Sequence, residues 1–221
     1  MGRQIRVGGS PLESSGRGLG SPSRRPPTPG QRAFLAIRYE PYARTGLTLL
    51  LAFILMLMAY RPWGRFLHPL RFRSALCRDA RINGLDPSLV AAVVLHESSY
   101  RPEARSAAGA LGLMQLMPTT ARWLSRRFEG SDVSMIALLD PEVNLRLGTL
   151  YLGELRSRFG NDPILYLAAF NAGPENVREW LAHNHSPHLS IEQIPFGETR
   201  RYVRSVLACQ TCYRQLYSEL Q

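Results

Sequence analysis

Three Asp-Pro pairs constrain the fold more than any other feature of this chain. Asp86-Pro87, Asp140-Pro141 and Asp162-Pro163 each stand directly before an apolar run with helical spacing. An aspartate at an N-cap accepts hydrogen bonds from the first-turn N–H groups, and a proline just inside the helix loses no bond it would have made. Glycines supply the stops: Gly84 after an amphipathic stretch from Arg71 to Asn83, Gly160 after the second Asp-Pro helix, and Gly173-Pro174 after the third. A last helix is predicted from about Glu198 to the C-terminus. Period-two alternation is almost absent, so residues 70–221 read as a compact all-α domain of five or more short-to-medium helices.

The net charge of +10 invites a nucleic-acid reading, but its distribution argues against one. All 27 basic residues are arginine, and ten of them fall in residues 1–65 against only Glu13 and Glu40. The helical domain is therefore nearly neutral, and no nucleic-acid partner is expected. The basic leader spans residues 1–44. Its Gly8 to Gly30 stretch, rich in Gly, Pro, Ser and Arg, cannot bury a core. It reads as a disordered cytoplasmic tail, or as upstream sequence included by a start codon assigned too early.

Residues 45–61 follow as a hydrophobic segment. From Thr45 to Tyr60 there is no charge, and arginines flank both ends. A bilayer core takes about 20 helical residues, with a lower limit of roughly 17, and flanking arginines extend the reach by snorkelling. The segment has no polar face, which disfavours a buried core helix. An uncleaved single-pass anchor is the favoured reading, with the N-terminus cytoplasmic and the domain extracytoplasmic at the cell membrane. A cleaved signal peptide is the alternative, although Leu57-Met58-Ala59 makes a poor cleavage site.

The chemistry concentrates at Glu97. It ends the apolar run Leu89 to His96 and follows Val93 by four and Val90 by seven residues, so it leaves the helix on their face. A carboxyl on a buried face resists ionisation, and a protonated carboxyl at neutral pH is what a general acid requires. The bland reading is a buried glutamate paired with an arginine. The following residues favour the acid: Gly109 and Gly112 among alanines form a turn of little bulk, open to ligand approach. Ser106 and Gln115 add polar groups among Leu113, Met114 and Met117, a pattern suited to a sugar's amide and hydroxyls.

Residues 97–118, Glu-Ser-Ser-Tyr through Gly-Leu-Met-Gln-Leu-Met-Pro, resemble the catalytic module of the soluble lytic transglycosylases, the SLT domain of the lysozyme superfamily. Ala168 to Pro174 (Ala-Ala-Phe-Asn-Ala-Gly-Pro) is similar to that family's Ala-Tyr-Asn-Ala-Gly block. Ile194 to Val203 is similar to its Glu-Thr-Arg-x-Tyr-Val block. The resemblance covers roughly residues 70–220 with all blocks in order. It implies a lysozyme-like α-helical domain that cleaves the β-1,4 bond between N-acetylmuramic acid and N-acetylglucosamine in peptidoglycan glycan strands, without metal or cofactor. Glu97 would be the single acid/base. Ser106 would help hold the N-acetyl group, and Gln115, Met117, Phe170, Asn171 and Glu198 would line the glycan groove. Glu198 would orient Glu97 or a neighbour, or act as a second carboxylate. The product would be a 1,6-anhydromuramoyl end. The alternatives are a hydrolytic muramidase of the same fold and a non-catalytic peptidoglycan-binding protein. Phe170 departs from the family's tyrosine and removes a hydroxyl from the site.

The remaining signals are weaker. His183, His185 and His188 lie in a polar loop and Cys209 and Cys212 in the last helix, neither in the setting of a zinc site, and no metal is expected. Outside the membrane Cys77 and Cys209 or Cys212 would form a staple or stay as buried thiols. Trp123 and Trp180, in amphipathic helices, read as core residues rather than sugar platforms. Arg126, Arg127, Arg200 and Arg201 read as solvated or paired with helix acids, and His96 as structural. The oligomeric state is left open, a monomer being the expectation.

Overall fold

The computed structural model describes residues 28–220. Residues 1–27, which hold most of the expected tail, lie outside the described residues. Two compact units are distinguished, up to Ile54 and from Leu55 onward. The first is the N-terminal part of a helix, α1, Pro29–Leu67. That helix begins well before the expected boundary at residue 45. Past Gly30 the leader is no longer Gly/Pro-rich, and Gln, Arg, Ala, Leu and Glu are strong helix formers. Among the described residues no helix is long and apolar enough to cross a membrane. Leu57 and Ala59, on which the anchor expectation partly rests, lie outside the described side chains.

Among the described residues of the second unit every regular element is a helix, joined by loops that hold only isolated bridges at Arg105, Leu111 and Leu116. It comprises the end of α1, then α2 (Arg73–Ile82), α3 (Pro87–Ser98), α4 (Pro118–Glu129), α5 (Pro141–Phe159), α6 (Pro163–Ala172), α7 (Pro174–His183) and α8 (Gly197–Leu216). The three Asp-Pro devices work as expected. Asp86 accepts from the Ser88 N–H, Asp140 from Glu142 and Val143, and Asp162 from Ile164. The last helix stops at Leu216, followed by a short 3₁₀ turn.

Helix α3 is the axis of the domain. Val90, Ala91, Ala92, Val93 and Val94 are wholly buried, because the helix is apolar on every side and must be surrounded. Each buried valine or leucine stabilises the fold by about 1.5–3 kcal/mol. Helices α8 and α2 pack directly on α3, with Val203, Val206, Cys209 and Tyr213 of α8 in the same core; α5 packs on α2, and α6 bridges α5 and α8. A smaller cluster of Leu111, Leu116, Ala121, Leu124, Leu138 and Leu147 seats α4 and the preceding loop on α5.

Cys77, Cys209 and Cys212 are free thiols, the first two buried. Among the described residues no group of histidine, cysteine or acidic side chains is arranged to hold a metal. Of the two tryptophans read as core, Trp180 is buried edge-on to Phe196, with ring centroids 5.1 Å apart. Trp123 is not: it is 39% exposed. Leu124, one position on, takes the inward face of α4 instead.

Candidate active site

Glu97 sits in the last turn of α3 above the buried Val93 and Val90. It is half-buried, and loss of water raises its carboxyl from the ordinary 4.5 to about 7. The Tyr202 hydroxyl on α8 opposes that rise in part. Tyr202 is in turn pushed well above the usual phenol range, first by burial and then by Glu97. Its hydroxyl is buried without a hydrogen-bond partner, so the two groups are electrically coupled but not directly bonded in this conformation. The sequence reading placed an orienting role at Glu198. Glu198 lies exposed in the first turn of α8, and Tyr202, about one turn further, is the residue that approaches Glu97. Tyr202 stood inside a motif block, and its inward position on α8 was the signal that would have singled it out. His96 is exposed, and its ring meets the Tyr202 ring edge-on at 6.4 Å.

The chain leaves α3 sharply. Ser99 and Tyr100 adopt φ of 51° and 59° in succession, a left-handed conformation that costs a non-glycine residue about 1–3 kcal/mol. Burial of Tyr100, whose hydroxyl donates to the Ala91 carbonyl at 3.3 Å, holds this turn in place. It sends residues 101–117 back over the domain.

That loop is pinned by Asn144, a wholly buried residue of α5. The Asn144 amide nitrogen donates to the carbonyls of Leu111 (2.9 Å) and Leu138 (2.8 Å), and its oxygen accepts from the Met114 N–H (2.7 Å). Gly112 has a different purpose from the one its sequence suggested. Its φ is +78°, and a Cβ there would stand 2.2 Å from the Asn144 amide nitrogen and 2.4 Å from the Leu138 carbonyl. It makes room for Asn144, not for a ligand. Gly109, at φ +89° with open space around it, keeps the exposed turn that the sequence suggested.

Each remaining residue of interest has a definite place. Ser106 is exposed, and its hydroxyl oxygen accepts from the Ala110 N–H at 2.9 Å. Gln115, at φ 47°, donates through its side-chain amide to the carbonyls of Gly112 (2.9 Å) and Ala104 (3.2 Å). Its nitrogen therefore braces the loop, and its side-chain oxygen is the part left for a ligand. Met117 is exposed at the N-cap of α4. Phe170 is half-buried, with its ring centroid 5.6 Å from that of Tyr151. Asn171, exposed at the end of α6, accepts from the Thr199 hydroxyl at 2.8 Å. Thr199 lies three residues before Tyr202 on α8, so Asn171, Thr199, Tyr202 and Glu97 form one continuous arrangement.

A half-buried carboxyl titrating near neutrality, beside a phenol and exposed polar groups, can deliver a proton and take one back. The other acids singled out in the sequence are placed differently. Asp140 and Asp162 cap helices, and Glu103 and Glu198 are exposed.

The same architecture recurs in proteins of known type. Residues 76–191 match the transglycosylase SLT domain, and residues 193–221 match the soluble lytic transglycosylase helical domain. The soluble lytic murein transglycosylase of Salmonella typhimurium is 38% identical over 156 residues, which cover 68% of this chain and 24% of that protein. Its counterpart in Escherichia coli K12 is 40% identical over 151 residues, covering 66% and 23%. An inactive mutant of the lytic transglycosylase Slt from Pseudomonas aeruginosa superposes with a TM-score of 0.63 at 42% identity, covering 67% of this chain and 25% of that one. The chain spans about a quarter of the length of these relatives. With the SLT match extending over more than half of its residues, from α2 to the 3₁₀ turn before α8, the chain belongs to the transglycosylase SLT domain family.

Proposed function

We propose that this protein is a peptidoglycan lytic transglycosylase with Glu97 as its only acid/base. The observation that carries the reading is the Glu97 carboxyl lifted to about 7 by burial at the end of an apolar helix. At neutral pH a large fraction is protonated and ready to donate to the glycosidic oxygen. Retaining glycosidases set a second carboxylate about 5 Å away, and inverting ones roughly 6.5–9.5 Å away. With no such group assigned here, the positive charge developing at the anomeric carbon falls to the substrate's own N-acetyl group. Glu97, now a carboxylate, takes the proton from the muramoyl C6 hydroxyl as that oxygen attacks the anomeric carbon of the same sugar. The intramolecular hydroxyl has an effective concentration that water lacks, and a 1,6-anhydromuramoyl end results.

In this reading Met117 and Phe170 offer apolar contact to sugar rings, and Ser106, Asn171 and the oxygen of Gln115 offer hydrogen bonds. Glu198, exposed in the first turn of α8, would line the same groove. The test is mass spectrometry of purified sacculi digested with the full chain. Products lighter by one water than the hydrolytic ones, absent with Glu97→Gln, support the reading. Reducing ends would make the protein a muramidase, and no cleavage would make it a binder.

The α1 segment from Thr45 to Tyr60 supports a single-pass anchor in the cell membrane, with the domain outside. Leu47, Leu49, Leu50, Leu55 and Met58 are all more than half exposed, and lipid is the environment in which such a surface is stable. Carbonate extraction of membranes tests it: an anchored protein stays in the pellet.

A further inference from the structure

On the outer face of α4, Trp123 stands between two open hollows of about 480 and 410 Å³ that share Thr119. An exposed tryptophan on a polar helix face is costly unless something covers it. The guanidinium of Arg127 lies 5.9 Å from its ring and that of Arg158 5.7 Å, so the indole separates and orients two cations. Two more arginines line the first hollow. Arg126 is chelated by Asp132, and Arg158 by Glu154 at 3.0 Å. Arg122 and Arg127 have no carboxylate within ion-pair distance among the described residues; Arg122 donates to the Pro118 carbonyl at 3.3 Å and acts on Asp132 at longer range, and Arg127 also lies 5.3 Å from the Phe128 ring. The face thus carries four arginines against the carboxylates of Asp132 and Glu154, with Arg127 and Arg158 set against the indole ring.

The second hollow is lined by Tyr151 and Pro174 on its far side. Tyr151 contacts Phe170, and Phe170 adjoins Asn171, which is bonded to Thr199 one helical turn from Tyr202. Through Tyr151 the second hollow thus adjoins Phe170, one of the residues read as lining the glycan groove.

We infer that the Trp123 face, with Arg122 and Arg127 as its cations outside ion pairs, is an accessory site for the carboxylate-bearing peptide branches of a peptidoglycan strand whose glycan lies at Glu97. This rests on the peptidoglycan reading above and adds a specificity determinant to it. Arginine forks take carboxylates in bidentate fashion; apart from the lactyl group on each muramic acid the glycan backbone is uncharged, and the peptide branches carry the carboxylates that reach beyond it.

The experiment compares the full chain with the double variant Arg122→Gln/Arg127→Gln and with Trp123→Phe. The substrates are purified glycan strands with their tetrapeptide branches and the same strands stripped by an amidase. The expected result is a ratio of kcat/KM, branched over stripped, that falls about tenfold in the double variant, chiefly through KM, and by less in Trp123→Phe. An unchanged ratio overturns the inference, as does an equal loss on both substrates. Binding of disaccharide-tetrapeptide against peptide-free disaccharide is measured in parallel in the Glu97→Gln background. If wild type cleaves neither strand the peptidoglycan-cleavage reading fails by itself, and the binding difference still decides the accessory site.

Discussion

Replacing Glu97 by glutamine should stabilise the protein at neutral and alkaline pH while it removes the proposed acid. The reasoning follows from linkage. The carboxyl titrates at about 7 in the folded domain and at the ordinary 4.5 when unfolded. Between those values the folded state holds a proton that the unfolded state has released, so stability declines as pH rises from 4.5 to 7 and levels off above. That interval corresponds to about 3 kcal/mol at 1.36 kcal/mol per pH unit, and partial exposure of the side chain brings it nearer to about 2 kcal/mol. Glutamine has nearly the same shape and carries no charge, so the variant escapes the penalty. For a domain of this size roughly 2–4 °C in Tm accompanies each kcal/mol, which predicts a rise of roughly 4–8 °C at pH 8. Below pH 4.5 the two proteins should melt together, because both side chains are then neutral. Thermal melts followed by circular dichroism from pH 4 to 9 measure the difference. A Tm gap that does not depend on pH, or a less stable glutamine variant at pH 8, would refute the claim that Glu97 is held in an environment hostile to its charge.

Two further outcomes follow from the geometry. Tyr202→Phe removes the hydroxyl that lowers the Glu97 pKa, so the alkaline limb of the kcat/KM profile should move to higher pH. Because that hydroxyl is buried without a hydrogen-bond partner, the variant should lose no thermal stability, and a large drop in Tm would count against this placement. Gly112→Ala combines a left-handed φ with a Cβ driven into Asn144 and the Leu138 carbonyl. It should cost about 3 kcal/mol or more, read from urea unfolding, and a near-neutral result would mean that Asn144 does not pin the loop.

How much of this was legible beforehand varied with the range of the interaction. Helix starts at Pro87, Pro141 and Pro163 were readable because cap, proline and first-turn donors lie within three residues of one another. Glu97 was readable because four- and seven-residue spacing to Val93 and Val90 fixes its face in any helix. Trp123 departs from the expected core position, since neighbouring positions on α4 point about 100° apart and only the seat on α5 shows that Leu124 faces inward. Gly112 was misattributed for the same reason: the atom it accommodates belongs to Asn144 on α5, thirty-two residues away.

The chain alone therefore determined the all-helical class, the three Asp-Pro helix starts, the face on which Glu97 lies and the family likeness of its blocks. Each of these depends on hydrogen bonds and side-chain periods that close within a few residues. Tertiary structure alone decided that Tyr202 opposes Glu97, that Asn144 holds the loop, that Asn171 reaches Thr199 and that Trp123 faces outward with its arginines. Those facts depend on which helix lands beside which, and that is settled by the burial of whole faces rather than by any short run of residues.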